Sequence, residues 1–226
     1  MTKIALILLT ALPLFAGFFP STVHTSIASV QGDTLTLRSS FPANGMSGIV
    51  IHDYGSDLEA ITAYIAQTSK GHAKVISRDI IHHDELPTIK TPVKPGDKII
   101  GGYLYNNVML LAPDAATYTK ITSSYNKSWV HPDLFAIYLS KRGDAYPTRE
   151  NLGEFAKAYQ VGLVAIVRKD GLVLLDPISG HIISKKTMGS LPAEAQFPFY
   201  MHFKEIRSGW FSKSGSGSYY QTMEAL

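Results

Sequence analysis

The sequence predicts an α+β fold, and three observations carry that reading. Residues 23–97 are β-like, residues 98–190 mix apolar strands and β-hairpins with about three short helices, and the two kinds of element lack regular βαβ alternation. In the first part Thr34-Leu35-Thr36-Leu37 alternates with period two, the mark of a half-buried strand. Asn44-Gly45-Met46-Ser47-Gly48 is a turn cluster, and Ile49-Val50-Ile51 after it reads as a short buried strand. Residues 56–67 fit two periods: Leu58, Ile61 and Ile65 have helical spacing, while Ile61, Ala63 and Ile65 alternate. Tyr, Ile and Thr dominate there, and Ser69-Lys70-Gly71 supplies a hairpin turn into Ala73-Lys74-Val75-Ile76, which favours strand. Pro87, Pro92 and Pro95 mark an extended crossing, because a residue before proline is kept out of helical conformations.

In the second part, residues 98–105 and 108–112 read as strands joined by Asn106-Asn107, a dipeptide that tolerates positive φ. Asp114 then caps a first helix with Tyr118, Ile121 and Tyr125 on one face. A second opens at His131-Pro132-Asp133, where Pro132 suits the first helical position, Leu134, Ile137 and Tyr138 form a stripe, and Gly143 ends it. Thr148 caps a third, carrying Leu152, Phe155, Ala156 and Tyr159 at i, i+3, i+4 and i+7. Residues 161–167 and 172–175 are apolar strands across the turn Lys169-Asp170-Gly171. Residues 191–226 read as an aromatic C-terminal arm containing a Gly/Ser run at 212–218 of linker composition. Its rings, among them Phe199, Trp210, Phe211, Tyr219 and Tyr220, are expected to pack back on the β part rather than form an exposed docking surface. No internal repeat is visible.

The first residues set the expected compartment. Lys3 gives a positive start, residues 4–16 are apolar apart from breaks at Thr10 and Pro13, and Ala16 and Gly17 form a small-residue exit. That is the layout of a secretory signal peptide over residues 1–17, cleaved after Ala16 or Gly17. A membrane anchor needs about 20 apolar residues, so no transmembrane span is expected after cleavage, and the protein is expected in the periplasm or at the cell surface. The mature chain then divides into a domain over 18–190 (β-rich 18–97, mixed 98–190) and the arm over 191–226.

A hydrophobic fraction of 45% against 17% charged residues allows an ordinary packed core and excludes a disordered chain. The absence of cysteine excludes a disulfide framework, a lipidation cysteine and thiolate zinc sites. The net charge of +3, or +2 without Lys3, is too small to predict a nucleic-acid footprint.

No catalytic constellation, cofactor site or metal site is read from the residues. His82-His83-Asp84-Glu85 offers metal ligands, but neighbouring side chains on a strand point to opposite faces, so partners from elsewhere would be needed; a surface loop is the expected reading. Those histidines around one cavity with a distant carboxylate would instead point to an enzyme, a hydrolase of unrecognised type. His131-Pro132-Asp133 matches the tripeptide of co-chaperone J-domains without their helical surroundings, and an acidic residue in a first helical turn explains it through the macrodipole. Gly45-Met46-Ser47-Gly48 lacks the frame of a nucleophile elbow. Gly101-Gly102 falls inside an expected strand rather than before a helix, which excludes a phosphate loop.

A set of short motifs recurs in order: residues 41–48, Leu86-Pro87-Thr88, Gly96-Asp97, residues 103–107, Leu111-Ala112-Pro113-Asp114, residues 131–136, Pro147-Thr148, Val161-Gly162-Leu163 and Leu175-Asp176, with Pro198-Phe199-Tyr200 continuing it. The set resembles the N-terminal domain of the bacterial plasminogen-binding surface proteins of the PgbA/PgbB type. The resemblance implies an exported envelope or cell-surface binding protein whose partner is host plasminogen. Named members of that family carry a Lys/Glu-rich extension finishing in lysine, and plasminogen's kringles bind exposed, especially C-terminal, lysines between carboxylates and aromatic walls. The sequence here stops at Glu224-Ala225-Leu226, so that terminal lysine is not carried over. Lys185 and Lys186 are the partner-binding candidates left, although a solvated hairpin end explains them equally well. The alternative is a periplasmic scaffold or assembly factor that pairs with another envelope protein through an exposed strand edge.

Overall fold

A computed structural model describes residues 17–78, 80, 91–203 and 217–226, and it is α+β. The expected signal peptide, up to residue 16, and His82, His83, Pro87, Trp210 and Phe211 lie outside the described residues. Strands β1 (Val23–Gln31), β2 (Thr34–Leu37), β3 (Ser47–Asp53), β4 (Glu59–Ser69), β5 (His72–Ser77) and β6 (Lys98–Gly101) close into a barrel in the order β1-β2-β5-β4-β3-β6. Every neighbouring pair is antiparallel, so hydrogen bonding runs around the barrel without a free edge. Register shifts in β1, β3 and β4 bend the strands as closure requires. The ambiguous stretch 56–67 resolves as strand, and Ser69-Lys70-Gly71 turns it into β5 as its composition predicts.

Beside the barrel lies a five-stranded sheet in the order β11-β10-β9-β7-β8, built from β7 (Asn107–Leu111), β8 (Ser128–Val130), β9 (Leu163–Arg168), β10 (Gly171–Asp176) and β11 (His181–Lys186). β7 runs parallel to both β8 and β9. All six residues of β10 are buried, and β7 and β9 are nearly so. Alternate residues take opposite faces. Val108, Leu110, Ala165, Val167, Leu172 and Leu174 share one core with Ile27, Leu35, Val50, Ile65 and Ile99 of the barrel. Met109, Leu111, Val164, Ile166, Val173 and Leu175 share a second with the helices α2 (Pro132–Arg142), α3 (Arg149–Tyr159) and α4 (Tyr219–Ala225). The sheet is therefore a middle layer, with the barrel and the helix over residues 115–124 on one face and α2, α3 and α4 on the other. Continuous apolar runs are the sequence consequence.

The helix ends follow their caps. Asp114 Oδ1 accepts from Thr117 N at 2.7 Å to start α1 (Ala115–Ser124). Pro132 occupies the first turn of α2, which ends at Gly143 with φ 79°, a left-handed conformation that favours glycine. Thr148 and Asn151 form a reciprocal capping box on α3.

Two expectations are corrected. The strand expected over 98–105 stops at Gly101; residues 102–106 are turns, with Leu104 at φ 62°, and β6 and β7 belong to different sheets rather than to one hairpin. β6 is needed between β1 and β3 to close the barrel, so the chain must leave it before entering the sheet. Gly101 therefore ends a strand and Gly102 lies in a turn. The second correction is α4, unanticipated because a Gly/Ser run precedes it. Its Tyr219 hydroxyl donates to Leu111 O at 2.9 Å and Val167 O at 2.8 Å, and Met223 and Leu226 are buried. Phe199, Tyr219 and Tyr220 do pack inward, on the helix face of the sheet.

The barrel and sheet are joined through one carboxylate. Asp176, at the end of β10, has no solvent exposure. Its Oδ2 accepts from Ser47 N at 2.6 Å, at the start of β3, and from the Tyr105 hydroxyl at 2.5 Å, in the connection between barrel and sheet. Its Oδ1 accepts from Ile178 N at 2.9 Å and Ser179 N at 3.0 Å. Burial first, then the adjacent carboxylate, push the Tyr105 phenol far above its ordinary range, so it remains a donor. Ser179 extends the link by donating its hydroxyl to Gly45 O at 2.5 Å. Gly162 permits the close crossing of the two parts, since a Cβ there would lie 2.1 Å from Leu104 O.

Replacing Asp176 with Ala leaves the Ser47 amide and Tyr105 hydroxyl without an acceptor in the core. In urea unfolding, Asp176→Ala is expected to lose about 3 kcal/mol or more, and Tyr105→Phe about 1.5–3 kcal/mol. A loss below about 1 kcal/mol for Asp176→Ala would contradict the role of this junction.

Candidate partner-binding surface

The two lysines singled out by the sequence do not form one patch. Lys185 pairs with Val173 and Lys186 with Leu172, so successive positions on β11 send them to opposite faces of the sheet. Lys185 is exposed and forms an ion pair with Asp170 across the hairpin turn. That hydrogen bond, more than any other interaction, holds the Asp170 carboxyl below the usual carboxylate range. Lys186, also exposed, donates to the Tyr125 hydroxyl at 3.1 Å and lies 5.7 Å from that ring's centroid.

The Lys186 face is aromatic. Phe19 stands edge-on to Tyr125 at 5.0 Å and to Trp129 at 6.4 Å, and Phe18 contacts both Phe19 and Tyr125. Lys127 sits 4.9 Å from the Phe19 centroid and donates to Tyr105 O at 3.2 Å; partial burial lowers its pKa. Lys127 is therefore committed to the fold.

Other lysines are freer. Among the described residues, the exposed side chains of Lys70, Lys74, Lys94, Lys120, Lys141, Lys157 and Lys169 have no hydrogen-bond or ion-pair partner. Two of them occupy hairpin tips: Lys70 between β4 and β5, and Lys169 between β9 and β10. A pocket that grips a single ammonium and its stem needs a cation that protrudes and has no competing partner. These tips meet that requirement better than Lys185 or Lys186. The turn signals Ser69-Lys70-Gly71 and Lys169-Asp170-Gly171 place both lysines at hairpin tips from sequence alone, whereas adjacency in sequence does not make Lys185 and Lys186 one patch.

A cleft of about 150 Å³ opens at the seam between barrel, sheet and α3, lined by Ser47, Ile61, Tyr64, Tyr103, Lys157 and Ile178.

The His131-Pro132-Asp133 motif has its expected helix-start role and a partner that the sequence did not reveal. His131 Nδ1 accepts from Asp133 N at 3.2 Å as the N-cap of α2. His202, 69 residues on, donates its main-chain N–H to Asp133 Oδ1 at 2.9 Å, and its ring Nδ1 lies 2.9 Å from Oδ2. The His131 and His202 rings stack at 4.5 Å and 13°. Burial alone would raise the Asp133 carboxyl, but the His202 bonds outweigh it and hold the group below its usual range. Burial, reinforced by the charge of His202 and opposed by Asp133, pushes the His131 imidazole below its usual value. No spacing rule connects residue 202 to residue 131; only the return of the arm across α2 does.

The geometry thus defines an α+β domain with protruding, unpaired lysines and a small seam cleft. Residues 22–226 match the family described as plasminogen-binding protein pgbA N-terminal, and the chain belongs to that family. It is 25% identical over 225 residues to plasminogen-binding protein PgbA of Helicobacter pylori (strain J99 / ATCC 700824), an alignment covering 95% of this chain and 49% of that protein. The chain spans about half the length of the curated relative it matches. No solved structure matches the chain.

Because Lys185 and Lys186 contact their neighbours only at the exposed surface, the Lys185→Ala/Lys186→Ala protein is expected to unfold at the parent's urea midpoint. A clear drop in that midpoint would assign these lysines to the fold rather than to a binding surface.

Proposed function

We propose that this chain is an exported envelope protein that captures plasminogen through lysines protruding from hairpin tips. Membership of the family over residues 22–226 is the observation that carries this reading. The free ammonium groups of Lys70 and Lys169 supply its chemistry, with exposed Lys185 and Lys186 as weaker contributors. Export rests on the apolar leader over residues 1–17, and the packing of Phe18 and Phe19 against Tyr125 and Trp129 is consistent with a mature fold that begins just after it. Among the described residues, no helix is long and apolar enough to cross a membrane.

The second reading, a periplasmic scaffold, requires an open strand edge. The closed barrel has none, and the five-stranded sheet leaves β8, three residues long, and β11, which carries His181, Lys185 and Lys186. Short edge strands and edge lysines discourage strand addition. Plasminogen capture is the better supported of the two.

Purified residues 18–226 are expected to bind immobilised plasminogen at micromolar concentration and to be displaced by a soluble lysine analogue. Lys70→Ala/Lys169→Ala is expected to weaken that binding about tenfold or more, roughly 1.4 kcal/mol. Lysine-insensitive binding, or none at micromolar protein, would overturn the proposal. On intact cells the protein is expected to be cut by added protease; complete protection would favour the periplasmic scaffold.

A further inference from the structure

We propose that His131, Asp133 and His202 form a binding site for a divalent transition metal of the zinc class, clasping the arm at residue 202 to the start of α2. The inference is independent of plasminogen capture. Three ligand atoms, one from each side chain, lie within 4.8 Å of one another. The Nδ1 atoms of both imidazoles approach the same carboxylate oxygen, Asp133 Oδ2, at 2.9 Å from His202 and 3.3 Å from His131. With metal–ligand bonds of about 2.0–2.2 Å and tetrahedral angles, donor atoms sharing one zinc ion stand about 3.3–3.6 Å apart. The two nitrogen–oxygen separations need to change by a few tenths of an ångström, and the His131 and His202 rings, stacked at 4.5 Å and 13°, must turn so that both lone pairs meet on the ion.

Without metal, His202 Nδ1–H bonds Asp133 Oδ2 and His131 Nδ1 takes the Asp133 N–H, which leaves the His131 nitrogen facing that oxygen without a proton between them. His131 Nδ1 accepts from Asp133 N, so in that state it carries no proton and presents its lone pair 3.3 Å from a carboxylate oxygen. A cation held between those two electron-rich atoms gains from both. The two rings are also stacked, so one proton on one ring leaves the other nitrogen still facing Oδ2. A metal ion satisfies both nitrogens and the oxygen at once, in exchange for the 3.2 Å N–H bond at the cap. Asp133 offsets the unfavourable field that a helix N-terminus exerts on a cation. Its other oxygen is already held by His202 N, which orients the carboxylate as outer hydrogen bonds orient metal ligands. Tyr118 lies 5.1 Å from the His131 ring and Tyr200 5.6 Å from the His202 ring, shielding the inner side of the cluster, while the His202 side chain is 64% exposed and leaves an approach for the ion.

The donor set selects the metal. Two imidazole nitrogens and one carboxylate oxygen suit Zn²⁺ or neighbouring first-row ions such as Ni²⁺ and Cu²⁺, whereas Ca²⁺ and Mg²⁺ demand oxygen-rich shells. Three protein ligands leave a coordination position for water or another donor.

The test uses the untagged mature chain, stripped with a chelator and then equilibrated with Zn²⁺ by dialysis, with bound metal counted by mass spectrometry. We expect one zinc bound through this cluster at micromolar free metal or below, a melting temperature that rises with zinc concentration, and no response to Mg²⁺. His202→Ala, which leaves the N-cap in place, and Asp133→Asn, which keeps the carboxylate's shape, are each expected to weaken that binding at least about tenfold and to remove the thermal shift. A parent chain that retains no zinc would overturn the proposal. So would zinc binding that both variants keep unchanged, which would place the ion on other histidines.

Discussion

A carboxylate sealed from water is costly unless its oxygens are fully engaged, and the arrangement of this molecule depends on how Asp176 is engaged. Removing a charge from water costs several kcal/mol. Here four donors from three segments converge on it: Ser47 from the barrel, Tyr105 from the connection, and Ile178 and Ser179 from the turn after β10. Those donors fix where the barrel can stand against the sheet. The Ser179–Gly45 bond and the close passage of Gly162 beneath Leu104 follow from the same placement. Buried polar networks of this kind select one arrangement because every alternative leaves a donor unmet.

Apolar packing supplies the bulk of the stabilisation and would tolerate more than one docking angle; the carboxylate removes that freedom. The core that includes Ile27, Leu35 and Val50 continues without a break into Leu110, Ala165 and Leu174, so barrel and sheet share one interior. The opposite face of the sheet holds Phe135, Phe155 and Tyr219. Several motifs that carried the family resemblance meet at this joint: Ser47, Tyr105, Gly162 and Asp176. The resemblance is thus to a large extent a resemblance in how two β units are fastened together. The hairpin-tip lysines Lys70 and Lys169 take no part in that fastening, whose donors are Ser47, Tyr105, Ile178 and Ser179.

Local signals were legible wherever local physics decides. Asp114, Pro132, Gly143 and Thr148 announced helix ends because capping involves only residues a few positions apart. The strand over Glu59–Ser69 was readable from its β-branched and aromatic content despite a competing helical period. What failed was long-range. Closure by β6 cut short a strand whose apolar pattern ran on to Tyr105, and α4 is held by tertiary burial of Tyr219 and Met223 rather than by any cap. The site residues divided the same way. Lys185 and Lys186 were visible as a pair, yet strand geometry separates them. His202 meets His131 through the path of the arm, which no periodicity encodes.

Native-state hydrogen exchange read residue by residue tests the fastening most directly, because it reports whether the two β units open together. If Asp176 and the shared core bind them into one unit, the slowest amides of β3 and β4 exchange with the same opening free energy as those of β9 and β10, and the Ser47 amide is among them. Barrel amides that exchange through a separate opening, lower by more than about 1 kcal/mol than that of the sheet, would show that the carboxylate does not govern the assembly.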